Sequence, residues 1–105
     1  MKITAYCIFY LLIFTSNYVY AETGMVVKRL GSCDYYIADG PRGLYVLEWY
    51  GGHDPMEGER IIGNIGSYGM KEVFFPDSKK RGRVWVEDFL ETASSALQKI
   101  RDKCR

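Results

Sequence analysis

The stretch Gly51-Gly-His-Asp-Pro-Met-Glu-Gly-Glu-Arg-Ile-Ile-Gly-Asn-Ile-Gly-Ser-Tyr-Gly69 holds the only histidine and six of the eleven glycines of the 105-residue chain. Read as a catalytic or phosphate-cradling loop, it points to an enzyme. Read as the place where a small sheet turns its corners, it points to a β-barrel. The phosphate reading fails on spacing. Gly63, Gly66 and Gly69 give GxxGxxG, not GxGxxG, no helix follows to aim its N-terminus at a phosphate, and no Gly-Lys-Ser/Thr is present. Catalysis by His53 beside Asp54 is also poorly served. Sequence neighbours rarely form a working pair, and no serine or cysteine is marked as a nucleophile. Glu48, Glu57, Glu59 and Glu72 are carboxylates whose mutual placement one sequence does not fix. The structural reading accounts for more of the residues. Gly51-Gly52 ends a strand, Asp54-Pro55 initiates a turn, Gly58 precedes the next strand, and Gly63 and Gly66 suit a bend or bulge. Gly69 then turns the chain into another strand, and His53 becomes an exposed loop residue.

The segments on either side fit the same plan. Ser32–Asp39 alternates, with Cys33, Tyr35 and Ile37 expected inside. Arg42–Tyr50 places Tyr45, Leu47 and Trp49 on one face. Glu59–Gly66, Gly69–Phe75 and Gly82–Glu87 read as three more strands, the last with Val84 and Val86 inside. Met25–Leu30 adds a candidate edge strand. Short alternating strands separated by glycine-rich breaks predict an antiparallel sheet or barrel of about five strands. From Phe89 the period changes. Phe89, Ala93, Ala96, Leu97 and Ile100 share one helical face, with Asp88 as the expected N-cap, Glu91 completing a capping box, and Lys99, Arg101 and Lys103 near the C-terminal end. The predicted fold class is therefore mainly β with a C-terminal α-helix. In its order of strands, glycine bends and closing helix it is similar to small SH3-like or OB-like barrels, a likeness of fold that carries no function.

The N-terminus reads as a secretory signal peptide over residues 1–21. Lys2 is followed by an apolar run centred on Ile8–Phe14, and Val19-Tyr20-Ala21 offers small residues for cleavage after Ala21. The run is shorter than the ~18 to 20 apolar residues of a spanning helix, so no membrane anchor is expected after cleavage. The remaining residues 22–105 suffice for one domain. Lys and Arg number 14 and Asp and Glu 13, so losing Lys2 balances the formal charge and argues against nucleic acid as a bulk partner. A domain this small buries only about 60 to 65% of its unfolded surface and gains from a covalent tie. Cys33 and Cys104 provide one as a disulfide in a secreted or periplasmic setting, against the alternatives of free thiols or an intermolecular bridge. Two distant cysteines and one histidine make a poor metal set, and no cofactor motif appears.

Two features remain as candidate binding elements. The run Asp77–Arg83 is a polar hairpin tip carrying Lys79, Lys80 and Arg81, either a solvated turn or a contact for an acidic partner. The aromatics are too many for so small a core. Alternation puts Tyr36, Tyr50 and Trp85 outside, with Trp85 expected either beneath the closing helix or facing a partner. These residues predict an exported, non-catalytic protein-binding domain, serving in envelope assembly or as an inhibitor or protective protein. The alternatives are a small secreted hydrolase using His53 or the central carboxylates, and a glycan or ligand binder.

Overall fold

The computed structural model describes residues 21–105. Apart from Ala21, the signal peptide read at residues 1–21 lies outside the described residues. Six strands and one helix follow in order: β1 (Glu22–Arg29), β2 (Tyr35–Gly40), β3 (Gly43–Gly52), β4 (Arg60–Gly63), β5 (Gly69–Phe75), β6 (Lys80–Leu90) and α1 (Ala93–Lys103). The strands close into an antiparallel barrel in the order β1-β2-β3-β6-β5-β4. The expected barrel closed by one helix is thus the observed fold, with six strands instead of about five. The extra strand is the one expected at an edge. The first half of β1 pairs with β4, Glu22 opposite Gly63 and Met25 opposite Arg60, while its second half pairs with β2, Met25 opposite Asp39 and Arg29 opposite Tyr36. β1 therefore joins the two ends of the sheet and closes the barrel.

The opening glycine stretch supplies the corners. Gly52 takes a positive φ of 71°, and a Cβ there would meet the Arg81 carbonyl oxygen at 2.6 Å. A Cβ at Gly63 would come within 2.9 Å of the Val73 side chain. These two positions need glycine so that β3 can lie against β6 and β4 against β5.

Two apolar layers hold the fold. The barrel interior is filled from all six strands and the β4–β5 connection, including Tyr36, Tyr45, Leu47, Ile65, Phe75 and Val84. A second layer lies outside the barrel, where Ile37 and Val46 meet Ala96 and Ile100 of α1. β2 and β3 are consequently covered on both faces. This corrects the expectation for Tyr36. The alternation along β2 holds, but Tyr36 points into the barrel and is 0% exposed, while Ile37 points out beneath the helix. The Arg29 guanidinium lies 4.9 Å from the Tyr36 ring centroid.

The helix starts later than its periodicity suggests. Asp88, Phe89 and Leu90 remain in β6, opposite Val46, Tyr45 and Leu44. Phe89 packs edge-on against Tyr45 and Tyr68, with ring centroids 5.2 and 4.9 Å apart, and this aromatic packing with strand pairing outweighs the helical pattern. Thr92 is the N-cap, its hydroxyl accepting from the Ser95 amide at 3.2 Å. Asp88 instead faces Lys99 at 3.6 Å. Cys33 and Cys104 are bonded, their Cα atoms 5.7 Å apart, which ties the end of α1 to the β1–β2 connection.

Candidate functional site

The helix covers only part of the barrel wall. It packs on β2, β3 and the end of β6 through Ile37, Val46, Leu44 and Leu90. The outer face of β5 and β6 stays open. Directly paired residues of neighbouring strands project to the same side, so register defines this surface. Met70 lies opposite Trp85, Glu72 opposite Arg83, and Phe74 opposite Arg81. Across β6, Trp85 also lies opposite Glu48 of β3, and Arg83 opposite Gly51. The β3–β6 register shifts between Trp49 and Gly51, which leaves Tyr50 as an extra residue on a bulged strand.

The result is one face bearing Tyr50, Met70, Phe74 and Trp85, each substantially exposed, with Tyr50 at 51% and Trp85 at 38%. Of the two positions expected for Trp85, the one beneath α1 is not observed: the ring lies outside the layer the helix makes. Tyr50 and Trp85 are exposed as the alternation predicts. Met70 and Phe74 were not singled out from the sequence, because the Phe74-Phe75 doublet hides which parity of β5 faces inward. Val73 and Phe75 are the buried pair, and that sends Met70, Glu72 and Phe74 outward.

The basic hairpin adjoins this face. Lys79 lies in the β5–β6 turn with a positive φ of 55°, Lys80 begins β6 opposite Phe75, and Arg81 follows opposite Phe74. The neighbouring carboxylates are already engaged. Asp77 takes the Arg60 guanidinium at 2.8 Å, and Glu72 takes Arg83 at 2.8 Å. The Arg60 side chain, and then its backbone amide, donate to Asp77 and hold its carboxyl below its ordinary value. Lys79, Lys80 and Arg81 have no carboxylate partner among the described residues.

His53 is neither exposed nor unpartnered, contrary to expectation. Its side chain is 16% exposed, its ring packs edge-on against Phe75 at 5.1 Å, and Nε2 lies 2.9 Å from the Glu59 carboxylate. Glu59 also accepts from the Ser78 hydroxyl and from the Met56 amide at 2.7 Å. Serine, histidine and glutamate thus meet, but in an order that does not make a nucleophile. The carboxylate sits between the other two, and the Ser78 proton points at Glu59 instead of at the imidazole, the base that would have to take it. Burial favours the neutral form of Glu59. The hydrogen bonds from Ser78, Met56 and His53 outweigh it and hold the carboxyl below its usual value, the wrong direction for a general base. The cluster pins the 53–59 loop to the β5–β6 turn. The other central carboxylates are dispersed: Glu57 accepts from the Arg29 amide at 2.9 Å, Glu72 is with Arg83, and Glu48 flanks Trp85. Among the described residues no three His, Cys, Asp or Glu side chains cluster in a way that would hold a metal ion.

Set against protein-family models, curated proteins and solved structures, the chain matches none of them.

Proposed function

We propose that this chain is a small exported, non-catalytic protein-binding domain that meets its partner through the outer face of β3, β6 and β5. The observation that carries this reading is the exposure of Trp85, Tyr50, Met70 and Phe74 together on a wall the helix leaves open. Tyrosine and tryptophan dominate binding hot spots because they combine large apolar area with a polar handle. The Cys33–Cys104 bridge supports a secreted or periplasmic location, where disulfides persist. An envelope-assembly component and an inhibitor or protective protein are the roles such a domain would fill. Stacking of Trp85 and Tyr50 on sugar rings is the second reading, favoured by the same exposed rings.

The test is Trp85→Ala. The ring is partly exposed, so folding stability should fall by roughly 1 to 2 kcal/mol, less than the ~3 to 5 kcal/mol of a fully buried aromatic. Affinity for the partner captured from the native secretory compartment should fall by about 2 kcal/mol or more. A folded Trp85→Ala protein that keeps its partner would refute the assignment. Competition by free sugars but not by proteins would select the glycan reading.

A further inference from the structure

Sequence order separates Tyr50, the Met70–Phe74 strand and the Lys79–Arg81 tip. Strand pairing brings Tyr50, the outward side chains of β5 and Arg81 onto one surface, with Lys79 and Lys80 at its rim, Lys80 lying opposite the buried Phe75. Running down β6, outward positions read Trp85, Arg83, Arg81, and their β5 neighbours read Met70, Glu72, Phe74. An aromatic end at Trp85 and Tyr50 therefore grades into a cationic end at Arg81, Lys80 and Lys79.

The charge there is unbalanced. Arg60, Lys79, Lys80, Arg81 and Arg83 lie near three carboxylates that are already engaged, Asp77 by Arg60, Glu72 by Arg83, and Glu59 by Ser78, Met56 and His53. Within a formal charge that is even over the whole domain, Lys79, Lys80 and Arg81 are three cations without a carboxylate partner among the described residues, gathered at one end of the exposed aromatic wall. The surface is also furrowed. A depression of about 390 Å³ is lined by Ile62, Val73, Phe74, Glu72 and Arg81. Another of about 310 Å³ is floored by the bare backbone of Gly51, Gly52 and Gly82 and walled by Arg81, Arg83 and Glu72. Both share Arg81 and Glu72, so a chain crossing from one to the other passes between them, where the Glu72 charge is taken by Arg83 and that of Arg81 is free.

We infer that the partner is a protein that lays an acidic segment across this face, its carboxylates on Arg81 and the adjoining Lys79–Lys80 rim and its apolar side chains against Phe74, Trp85 and Tyr50. The inference rests on the protein-binding reading above and names the chemistry of that partner. A free guanidinium at the junction of two furrows suits a carboxylate flanked by apolar side chains, because the guanidinium fork matches carboxylate geometry. An anionic membrane fits less well. A flat bilayer reaching Trp85 would bring its phosphates against Glu48 and Glu72 as well, whereas a peptide places its charges locally.

A random peptide library displayed on phage, selected on the folded, disulfide-bonded protein, tests this. Selected peptides should be rich in Asp and Glu around an apolar residue, and binding of their synthetic forms should weaken as salt is raised. Lys80→Glu/Arg81→Glu and Trp85→Ala should each weaken that binding by at least about tenfold. Circular dichroism checks that each variant is folded, and Arg81→Gln supplies a milder version of the charge change. Neutral or basic peptides that need Trp85 but ignore the charge reversal would overturn the acidic class and leave the protein-binding reading standing. Binding indifferent to both changes, or no selection at all, would sink both. Sedimentation with phosphatidylcholine–phosphatidylserine vesicles that the charge reversal abolishes, with no peptide selected, would overturn the inference in favour of a membrane surface.

Discussion

Removing the Cys33–Cys104 bridge should cost the fold about 4 kcal/mol. The two cysteines are 71 residues apart. Closing a loop of that length takes about 15 cal/mol/K from the unfolded ensemble in the chain-entropy picture, or about 4.4 kcal/mol near 25 °C. Native bridges in small exported domains commonly contribute ~2 to 5 kcal/mol, so the upper part of that range is expected. The loss should not be uniform. The barrel core contains no residue of α1, and the helix rests on a thin layer in which only Ile37, Val46, Ala96 and Ile100 are fully covered. Without the bridge the helix loses its covalent anchor, while the barrel keeps its closed strand pairing. The measurement is a urea titration of Cys33→Ala/Cys104→Ala beside the native protein. Tryptophan fluorescence reports the barrel, since Trp49 and Trp85 both lie on its strands, and far-ultraviolet circular dichroism reports the helix. In the native protein the two signals should change together. In the variant the midpoint should drop and the helical signal should fade first. Coincident transitions with a loss under about 1 kcal/mol would refute both the loop argument and the anchoring role.

Three further outcomes are expected. Thr92→Ala should destabilise the protein by about 1 kcal/mol through loss of the N-cap, whereas Asp88→Ala should cost roughly half a kcal/mol or less; equal losses in thermal melts would contradict the observed helix start. Stability should be even around neutral pH and fall in acid. At Glu59, burial is outweighed by hydrogen bonds from Ser78, Met56 and His53, and at Glu22 by those from Tyr45 and Arg42, so both carboxyls titrate below the ordinary 4.5. Their contribution is complete above the unfolded-state pKa and is lost as pH drops through the lower folded-state values, so urea midpoints should decline below about pH 4.5, and more gently in Glu59→Gln. His53→Ala should lower stability by roughly 1 to 2 kcal/mol, since Glu59 loses a partner and Phe75 an aromatic neighbour, yet leave partner binding intact. A stable but inactive His53→Ala protein would return the enzyme reading to first place.

The fold was legible where one face of an element decides its pattern. Val84 and Val86 alternate with Arg83, Trp85 and Glu87, and β6 has the expected inside and outside. The glycines of the opening stretch fall where the backbone turns or approaches a neighbour closely. The readings that failed did so where two demands fall on one segment. Phe89 fits the apolar stripe of a helix and also the aromatic end of the barrel. Tertiary packing against Tyr45 and Tyr68 decided between them, and no local propensity encodes that.

Tyr36 and Trp85 show why the candidate surface was harder to read than the fold. Each sits on a strand of clear alternation, opposite residues assigned to the core. Alternation sorts side chains into two sets but does not say how many of those sets are covered. β2 is covered twice, by the barrel interior and by α1, so Tyr36 disappears into one core while Ile37 fills another. The open wall of β6 is covered once, so Trp85 stays accessible. The deciding quantity is where an eleven-residue helix lands, and its narrow stripe of Ala96, Leu97 and Ile100 is too small to span β2, β3 and the whole of β6 together. Cys104 then fixes the choice, because bonding to Cys33 beside β2 draws the end of α1 to that side of the barrel. The disulfide thus bears on which wall of the barrel is covered as well as on stability. By holding the helix over β2 and β3, it keeps Tyr50, Trp85 and the Lys79–Arg81 tip uncovered and available as one surface.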